Sequence, residues 1–418
     1  MNQDNPLLEN TPLPAFPRIQ PGHVMPAIEA ILGDFRQATA AMLAPGAPRS
    51  FADLLLAQQR LEQRLANAWA PVSHLHAVAD SAAWREVYAP AEALLAEHAV
   101  ELGQNRELYA AIQGLAEAED FAGLPRPERA LVEHTLRDFR LSGVSLEEPA
   151  RSRFAAIAVE LSRLSTEFSN AVLDATEAWR EHIADERDLA GIPESGREVL
   201  RQYAHEQDLD GYLVTLKQPS VHAVLTHAEA RGLRERVYWA YQTRASDQGP
   251  NAGEFDNTAR IEKIMALRHE SARLLGFANA AEESLATKMA ASPAEVLEFL
   301  HDLAARALPT ARRELAALRE FAQAELGLDN LEPWDVAYAA EKLRQRRYAL
   351  DEEQLRAYFP LPAVLDGLFA LVEKLYGIRL ATREGVDVWH PDVRYVELLN
   401  ADGRVFAGAY LDLYARSG

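Results

Sequence analysis

The sequence has no cysteine in its 418 residues. Thiolate nucleophiles, disulfides and every cysteine-ligated zinc site are therefore excluded, and a metal would need His, Asp or Glu ligands. No apolar run approaches the ~20 residues of a membrane-spanning helix. The polar start Met1–Pro6 lacks the basic and apolar regions of a signal peptide. We expect a cytoplasmic protein.

Positive charge is also scarce. The chain carries 43 Lys and Arg against 63 Asp and Glu, a net charge of −20. Phosphate backbones and anionic membrane surfaces are bound through a surplus of Lys and Arg. The composition therefore predicts no nucleic-acid partner and no membrane partner.

Familiar catalytic motifs are absent. The sequence contains neither a glycine-rich phosphate loop nor a G-x-S-x-G elbow. The zinc-peptidase signature H-E-x-x-H needs two His four residues apart on one helical face. Glu follows His205 and His269, but Leu209 and Arg273 occupy the positions four residues on. We therefore expect no catalytic residue and no metal ligand within this chain.

Two further His pairs are candidate metal ligands. His74 and His76 are two residues apart, and His222 and His227 are five apart. Neither spacing aligns two rings on one helical face, so we interpret both pairs as structural or surface residues, with metal binding as the minor alternative. Two carboxylate-rich spots are interpreted as solvated helix starts: Glu282-Glu283 and Asp351-Glu352-Glu353.

Helical periodicity runs through most of the chain. Apolar residues recur every three to four positions in four segments: 51–69, 126–140, 149–179 and 261–276. Ser292 followed by Pro293 predicts a capped helix start, and Pro309 is expected to break or kink that helix. Six prolines in residues 1–26 predict an extended lead-in.

Three stretches favour strands. They are 211–216, 386–399 and 404–414, all rich in Val, Leu or Tyr. Asp402-Gly403, between the last two, is a strong hairpin signal. The sequence therefore predicts a mainly α protein, a multi-helix body with a small antiparallel β-sheet.

Aromatic and polar residues converge in two places. One is the run from Tyr238 to Asn251, and the other is Trp389–Arg394. Core aromatics with an internally bonded loop explain both runs most simply, and a binding surface is the alternative.

These runs also carry a resemblance to a known family. The chain resembles the thimet oligopeptidase family of zinc metallopeptidases, in order and along nearly its whole length. The matching segments are 71–75, 168–176, 243–251, 267–270, 274–277, 284–290, 386–394 and 410–416.

The resemblance implies soluble zinc endopeptidases that cleave short peptides in a deep channel within a helical body. Zinc is held there by the two His of H-E-x-x-H and a Glu, in helices that follow a segment like 410–416. The chain is then expected to consist of an N-terminal helical domain, 1–150, and the beginning of the peptidase domain, 151–418. It would form one side of the channel, bind no zinc itself and be inactive alone.

The resemblance also implies partners and contacts. Short oligopeptides are the expected ligands, and a missing C-terminal half is an expected partner. Gly408, Tyr410 and Asp412, on the strand near the channel, are candidates for peptide contact, with ordinary sheet packing as the alternative. Two other hypotheses stay open: a non-catalytic helical protein that binds peptides or a partner, and an inert product of a frameshifted gene.

Overall fold

The computed structural model describes residues 5–9, 11–349 and 355–414. Helices dominate and the strands are few and short, which confirms the predicted mainly α class. The acidic run Asp351–Glu353 and the last two residues of the 410–416 motif lie outside the described residues. No helix in the described ranges combines the length and apolarity needed to cross a membrane.

The chain folds into two compact units, each made of discontinuous segments. The first unit combines residues up to Thr166 with Met265–Ser284 and the residues from Val372 onward. The second unit contains Glu167–Ile264 and Leu285–Leu371.

The first unit is built mainly on five helices and one sheet. The helices are α1 (Val24–Leu43), α2 (Ala57–Val78), α3 (Ala82–Gly103), α4 (Arg106–Ala116) and α5 (Arg126–Leu141). The sheet contains β3 (Arg379–Thr382), β4 (Arg394–Leu399) and β5 (Val405–Leu411), antiparallel and in that order. Gly403 turns the chain between β4 and β5 with φ of 76°, so the hairpin predicted at Asp402-Gly403 is confirmed.

The second unit combines helices with a two-stranded sheet. Its helices are α7 (Glu194–His205), α8 (Gln218–His227), α9 (Arg231–Gln242), α12 (Pro293–Leu326) and α13 (Val336–Tyr348). β1 (Arg180–Ile183) pairs antiparallel with β2 (Tyr212–Thr215), the strand predicted at 211–216. Four helices contribute residues to both units: α6 (Ala150–Ala178), α10 (Thr258–Leu274), α11 (Ala280–Leu285) and α14 (Leu361–Tyr376).

Each unit has its own apolar core. In the first unit, Val24, Ile28 and Val72 are fully buried where α1 meets α2. In the second unit, Val214, Val224 and other apolar residues, mainly of β2, α8 and α9, form one buried cluster. These buried faces are the apolar faces that the helical periodicity predicts for amphipathic helices.

Of the break or kink expected at Pro309, the break does not occur, because α12 runs from Pro293 through Leu326, and the kink stays a prediction. A proline in a helix removes one N–H and leaves the carbonyl four residues earlier unbonded. Residues 301–310 are all exposed, so water can bond the carbonyl of Ala305. The predicted start is confirmed, since the Ser292 hydroxyl accepts a hydrogen bond from the Glu295 N–H at 3.2 Å.

Two other expectations need correction. The strand expected at 386–399 is confined to β4, because Pro391 has no N–H for a ladder and the Val393 N–H closes a turn onto the His390 carbonyl at 3.0 Å. The lead-in is not simply extended, since it contains 3₁₀ turns at Pro6–Leu8, Phe16–Arg18 and Pro21–His23. Each turn has a proline in its first positions, where the missing N–H has no intrahelical partner to lose.

Candidate functional site

An aromatic cleft lies in the first unit, beside β5. It is lined by residues of the N-terminal segment, of α2 and of the sheet region, including Phe16, His74, Trp389 and Tyr410. Its volume is about 340 Å³. A cleft of this size is at the lower end of the range that holds small ligands.

The rings of the aromatic cleft pack edge to face. The Phe16 ring lies 5.0 Å from Trp389 at 70° and 5.7 Å from Tyr410 at 85°, measured between centroids. His74 lies 4.0 Å from Trp389 at 74°. These tilted arrangements are the ones that aromatic quadrupoles favour, so the rings stabilise one another in the wall of the cleft.

All three peptide-contact candidates lie in or beside this wall. Tyr410 stands opposite Tyr395 in the β4–β5 register, with ring centroids 4.9 Å apart. Gly408 lies against the Tyr395 ring, and a Cβ at position 408 would overlap the Tyr395 hydroxyl. The Trp389 indole N–H donates to Asp412 Oδ2 at 2.9 Å.

The Tyr410 hydroxyl is buried and has no hydrogen-bond partner among the described residues. Burial raises the pKa of this phenol, and the neighbouring Tyr395 and Asp387 add to the rise. The phenol is therefore neutral at neutral pH and keeps a proton that it can donate. Solvent does not reach this hydroxyl, so a carbonyl or carboxylate oxygen accepts from it only after the surrounding rings move.

β5 also presents backbone groups. It pairs with β4 on one side, and no described strand pairs with its other side. Half of the N–H and C=O groups of an edge strand point away from its partner. An extended peptide can add to such an edge as a further strand.

The other aromatic and polar run bonds both internally and to α6. The guanidinium of Arg244 lies 3.8 Å from the Tyr241 ring centroid and donates to the Thr176 hydroxyl at 3.0 Å. The Ser246 hydroxyl donates to the Thr243 carbonyl at 2.8 Å. These bonds fold the loop onto its own unit, so its polar groups stabilise the loop.

Among the described residues there is no group of three or more His, Asp or Glu that could hold a metal. Glu270, beside His269, is bound by Arg153 through two hydrogen bonds of 2.6 Å. A carboxylate held in this bidentate way is committed to its arginine.

The two His pairs are arranged differently. His76 stacks on Tyr88 at 4.0 Å, whereas His74 contacts the aromatic cleft, so these two rings serve different neighbours. The His222 and His227 rings lie 6.0 Å apart and perpendicular, with no third ligand group among the described residues.

The sequence predicted Tyr410 as a contact residue and indicated Trp389. It did not predict that Phe16 and His74 would lie beside these two residues. Phe16 precedes Trp389 by several hundred positions, and no local periodicity relates the two. The available signal was the proline-rich segment around Phe16. Prolines fix the backbone φ angle, so such a segment holds an aromatic side chain in one place.

Comparison with known proteins identifies the class of this fold. Residues 224–418 match the family model "Peptidase family M3". Residues 28–151 match "Neurolysin/Thimet oligopeptidase, N-terminal domain". The chain is therefore similar to M3 peptidases over residues 224–418 and to the N-terminal domain of neurolysin and thimet oligopeptidase over residues 28–151.

Particular relatives are similar along the whole chain. Oligopeptidase A of Escherichia coli is 46% identical over 99% of this chain, and that of Haemophilus influenzae is 43% identical over 100%. A probable cytosolic oligopeptidase A of Arabidopsis thaliana is 36% identical over 99% of this chain. The chain spans 61% of the length of both bacterial relatives and 59% of the plant relative.

Proposed function

We propose that this chain is the scaffold and peptide-binding part of a zinc-dependent oligopeptidase that hydrolyses short peptides in the cytoplasm. The observation that carries the proposal is the 46% identity with an oligopeptidase A over 99% of the chain. In this proposal residues 1–150 form an N-terminal helical domain, and residues 151–418 begin the peptidase domain. The matches at 28–151 and 224–418 support that division.

Catalysis requires groups beyond those described. A zinc peptidase needs a metal with an open coordination position and a base beside it. In this proposal the ligands and the base come from other polypeptide, equivalent to a C-terminal half, and the lack of a metal cluster among the described residues supports it. We therefore expect no hydrolysis by the 418 residues alone.

Peptide contact is assigned to β5 and the aromatic cleft. The free edge of β5 offers main-chain hydrogen bonds, and Tyr410 offers a buried donor at the cleft. Gly408 leaves room for the Tyr395 ring, and Asp412 fixes the Trp389 indole. Of the three candidates, Tyr410 makes the direct contact and the other two position its neighbours.

The first test is cleavage of a quenched fluorescent oligopeptide by the purified chain with added zinc, with and without a chelator. No chelator-sensitive cleavage is expected from the chain alone. Cleavage should appear when the remaining polypeptide of an oligopeptidase A is supplied. Chelator-sensitive turnover by the chain alone would refute the proposal.

A second candidate function is peptide binding without hydrolysis, which the edge strand and the cleft favour because neither needs a metal.

Tyr410→Phe separates peptide contact from sheet packing, because it removes only the buried hydroxyl. Peptide affinity, measured by fluorescence anisotropy, should fall by about 1 kcal/mol, the net worth of one hydrogen bond. Tyr109→Phe, distant in sequence and outside the cleft lining, serves as the control. Equal affinity of both variants would leave Tyr410 a packing residue.

A further inference from the structure

His98 is a histidine buried in the first unit. It lies on α3 with 5% of its surface accessible, and its ring meets the Phe35 ring of α1 edge to face, with centroids 4.6 Å apart. Neither ring nitrogen has a hydrogen-bond partner among the described residues. Protonation would give the ring two N–H donors and a charge, and burying an unpaired charge costs far more than burying a neutral imidazole. The His98–Phe35 contact therefore suits only the neutral ring.

Two charged groups act on His98, and they oppose each other. Burial lowers the pKa of the imidazole most strongly, Glu101 on α3 raises this pKa and Arg36 on α1 lowers it. Arg36 donates to Glu101 at 2.8 Å, so the carboxylate that favours the charged ring is held by α1. No charged group of α2, which packs on both helices, is among the causes of the shift. His23 lies in the 3₁₀ turn that also packs on α3, but it precedes Phe35 by twelve residues, about 18 Å along α1.

An open cleft adjoins the His98–Phe35 contact. Its lining includes Arg36 and Thr39 of α1 and Glu101 of α3, and its volume is about 400 Å³. Thr39 follows Phe35 by one turn, and Glu101 follows His98 by one turn. Because residues three or four apart on a helix are neighbours on one face, this cleft lies next to the contact. The cleft gives the contact room to open.

We propose that protonation of His98 opens the contact between α1 and α3, so that this end of the first unit responds to acidification. The imidazolium leaves the Phe35 ring for the adjoining cleft, where Glu101 and water accept from its N–H groups. Glu101 thereby exchanges its Arg36 partner for the imidazolium. This inference does not rest on the proposed peptide function, since neither β5 nor the aromatic cleft takes part.

The pH range follows from the sign of the shift. An exposed imidazole takes up a proton near pH 6.5, whereas the buried ring of His98 does so only at lower pH. The stability of the closed contact is therefore complete above about pH 6.5 and falls as the pH decreases toward the pKa of the buried ring. Because the open state binds one more proton, the opening equilibrium should rise about tenfold for each pH unit in this range.

The exposure of an introduced thiol measures this opening, because the chain has no native cysteine. Thr39→Cys places a thiol at a position that is 7% accessible, where the lost hydroxyl has no hydrogen-bond partner among the described residues. Gln37→Cys places a thiol at an exposed position of the same helix. The maleimide reaction rate at position 39 is divided by the rate at position 37, from about pH 7.5 to about pH 5.5. This ratio removes the effect of pH on thiol reactivity.

Below about pH 6.5 the ratio should rise about tenfold per pH unit, and above that pH it should be flat. His98→Met removes the titrating group and keeps an adaptable apolar side chain on Phe35, so its ratio should not depend on pH. His98→Gln, which also lacks a titrating group, replaces it if the methionine variant does not fold. His134→Gln makes the same change at an exposed position of α5 and should behave as the wild type.

Three results would overturn the proposal. A ratio that stays flat in the wild-type background would show that the contact remains closed on acidification. A rise that persists in the His98 variants would assign the opening to another group, with His76 the next candidate because burial lowers its pKa as well. A rise that His134→Gln abolishes would place the responsible group on α5. None of these readouts measures hydrolysis or peptide affinity, so the proposed function and this inference can fail independently.

Discussion

Asp335 is a buried carboxylate whose removal should destabilise the second unit strongly. It is fully inaccessible, and its Oδ1 accepts a hydrogen bond from Arg234 at 2.6 Å while its Oδ2 accepts one from Arg231 at 2.7 Å. Arg234 is itself only 1% accessible and lies 4.2 Å from the Tyr338 ring centroid. This ion pair joins α9 to the segment at the start of α13.

The magnitude follows from what Asp335→Asn leaves behind. The variant keeps the shape of the side chain but leaves the buried Arg234 guanidinium without its counter-charge. Removing one partner of a buried ion pair costs about 3–5 kcal/mol. In a domain of about 150–250 residues, each kcal/mol lowers the melting temperature by about 2–4 °C. The expected decrease is therefore about 6–20 °C.

Thermal and urea unfolding followed by circular dichroism measure this loss. Asp302→Asn is the matched control, because Asp302 pairs with Arg306 at 2.8 Å on an exposed helix face. An exposed pair of this spacing contributes about 0.3–0.5 kcal/mol. The double variant Arg234→Met/Asp335→Leu should recover most of the loss, since apolar residues can replace a buried ion pair at little cost. Similar melting temperatures for Asp335→Asn and Asp302→Asn would refute the reasoning.

Three further predictions follow from single contacts. Burial raises the pKa of Asp335, but hydrogen bonds from Arg231 and Arg234 lower it by more, so the pKa lies below its ordinary value. The stability this carboxylate contributes is then complete above the unfolded pKa of about 3.9 and is lost as pH falls through the lower folded pKa. Urea midpoints of wild type and Asp335→Asn should therefore converge at low pH. Gly408→Ala should destabilise the first unit by about 1–3 kcal/mol through its overlap with Tyr395, as read by urea unfolding. Ser292→Ala should cost about 1 kcal/mol in the same assay, because the start of α12 loses its side-chain cap.

The elements predicted correctly are those with local causes. The cap at Ser292, the turn at Asp402-Gly403 and the long helix α6 each follow from neighbouring residues. Pro309 does not end α12, because an exposed helix face lets water satisfy the freed carbonyl, and whether it kinks the helix stays a prediction. Local rules state a preference, and solvent or packing decides whether it holds.

The candidate site could be predicted only in part, because its walls come from distant segments. The hairpin pattern placed Gly408 and Tyr410 on one strand, and the structure has them there. That Phe16 and His74 would meet Trp389 depends on how α1 and α2 pack, which a single sequence does not encode as a local signal. The burial of the Tyr410 hydroxyl depends on the packing of those rings, so the sequence alone does not predict it.

The edge of β5 and the aromatic cleft differ in chemistry, and the difference separates two kinds of contact. The edge of β5 offers mainly backbone hydrogen bonds, which suit an extended peptide of varied sequence. The aromatic cleft offers the rings of Phe16, Trp389 and Tyr410, which suit an apolar or aromatic side chain. Tyr410→Phe keeps the ring, so its effect on peptide affinity should be confined to one hydrogen bond, about 1 kcal/mol.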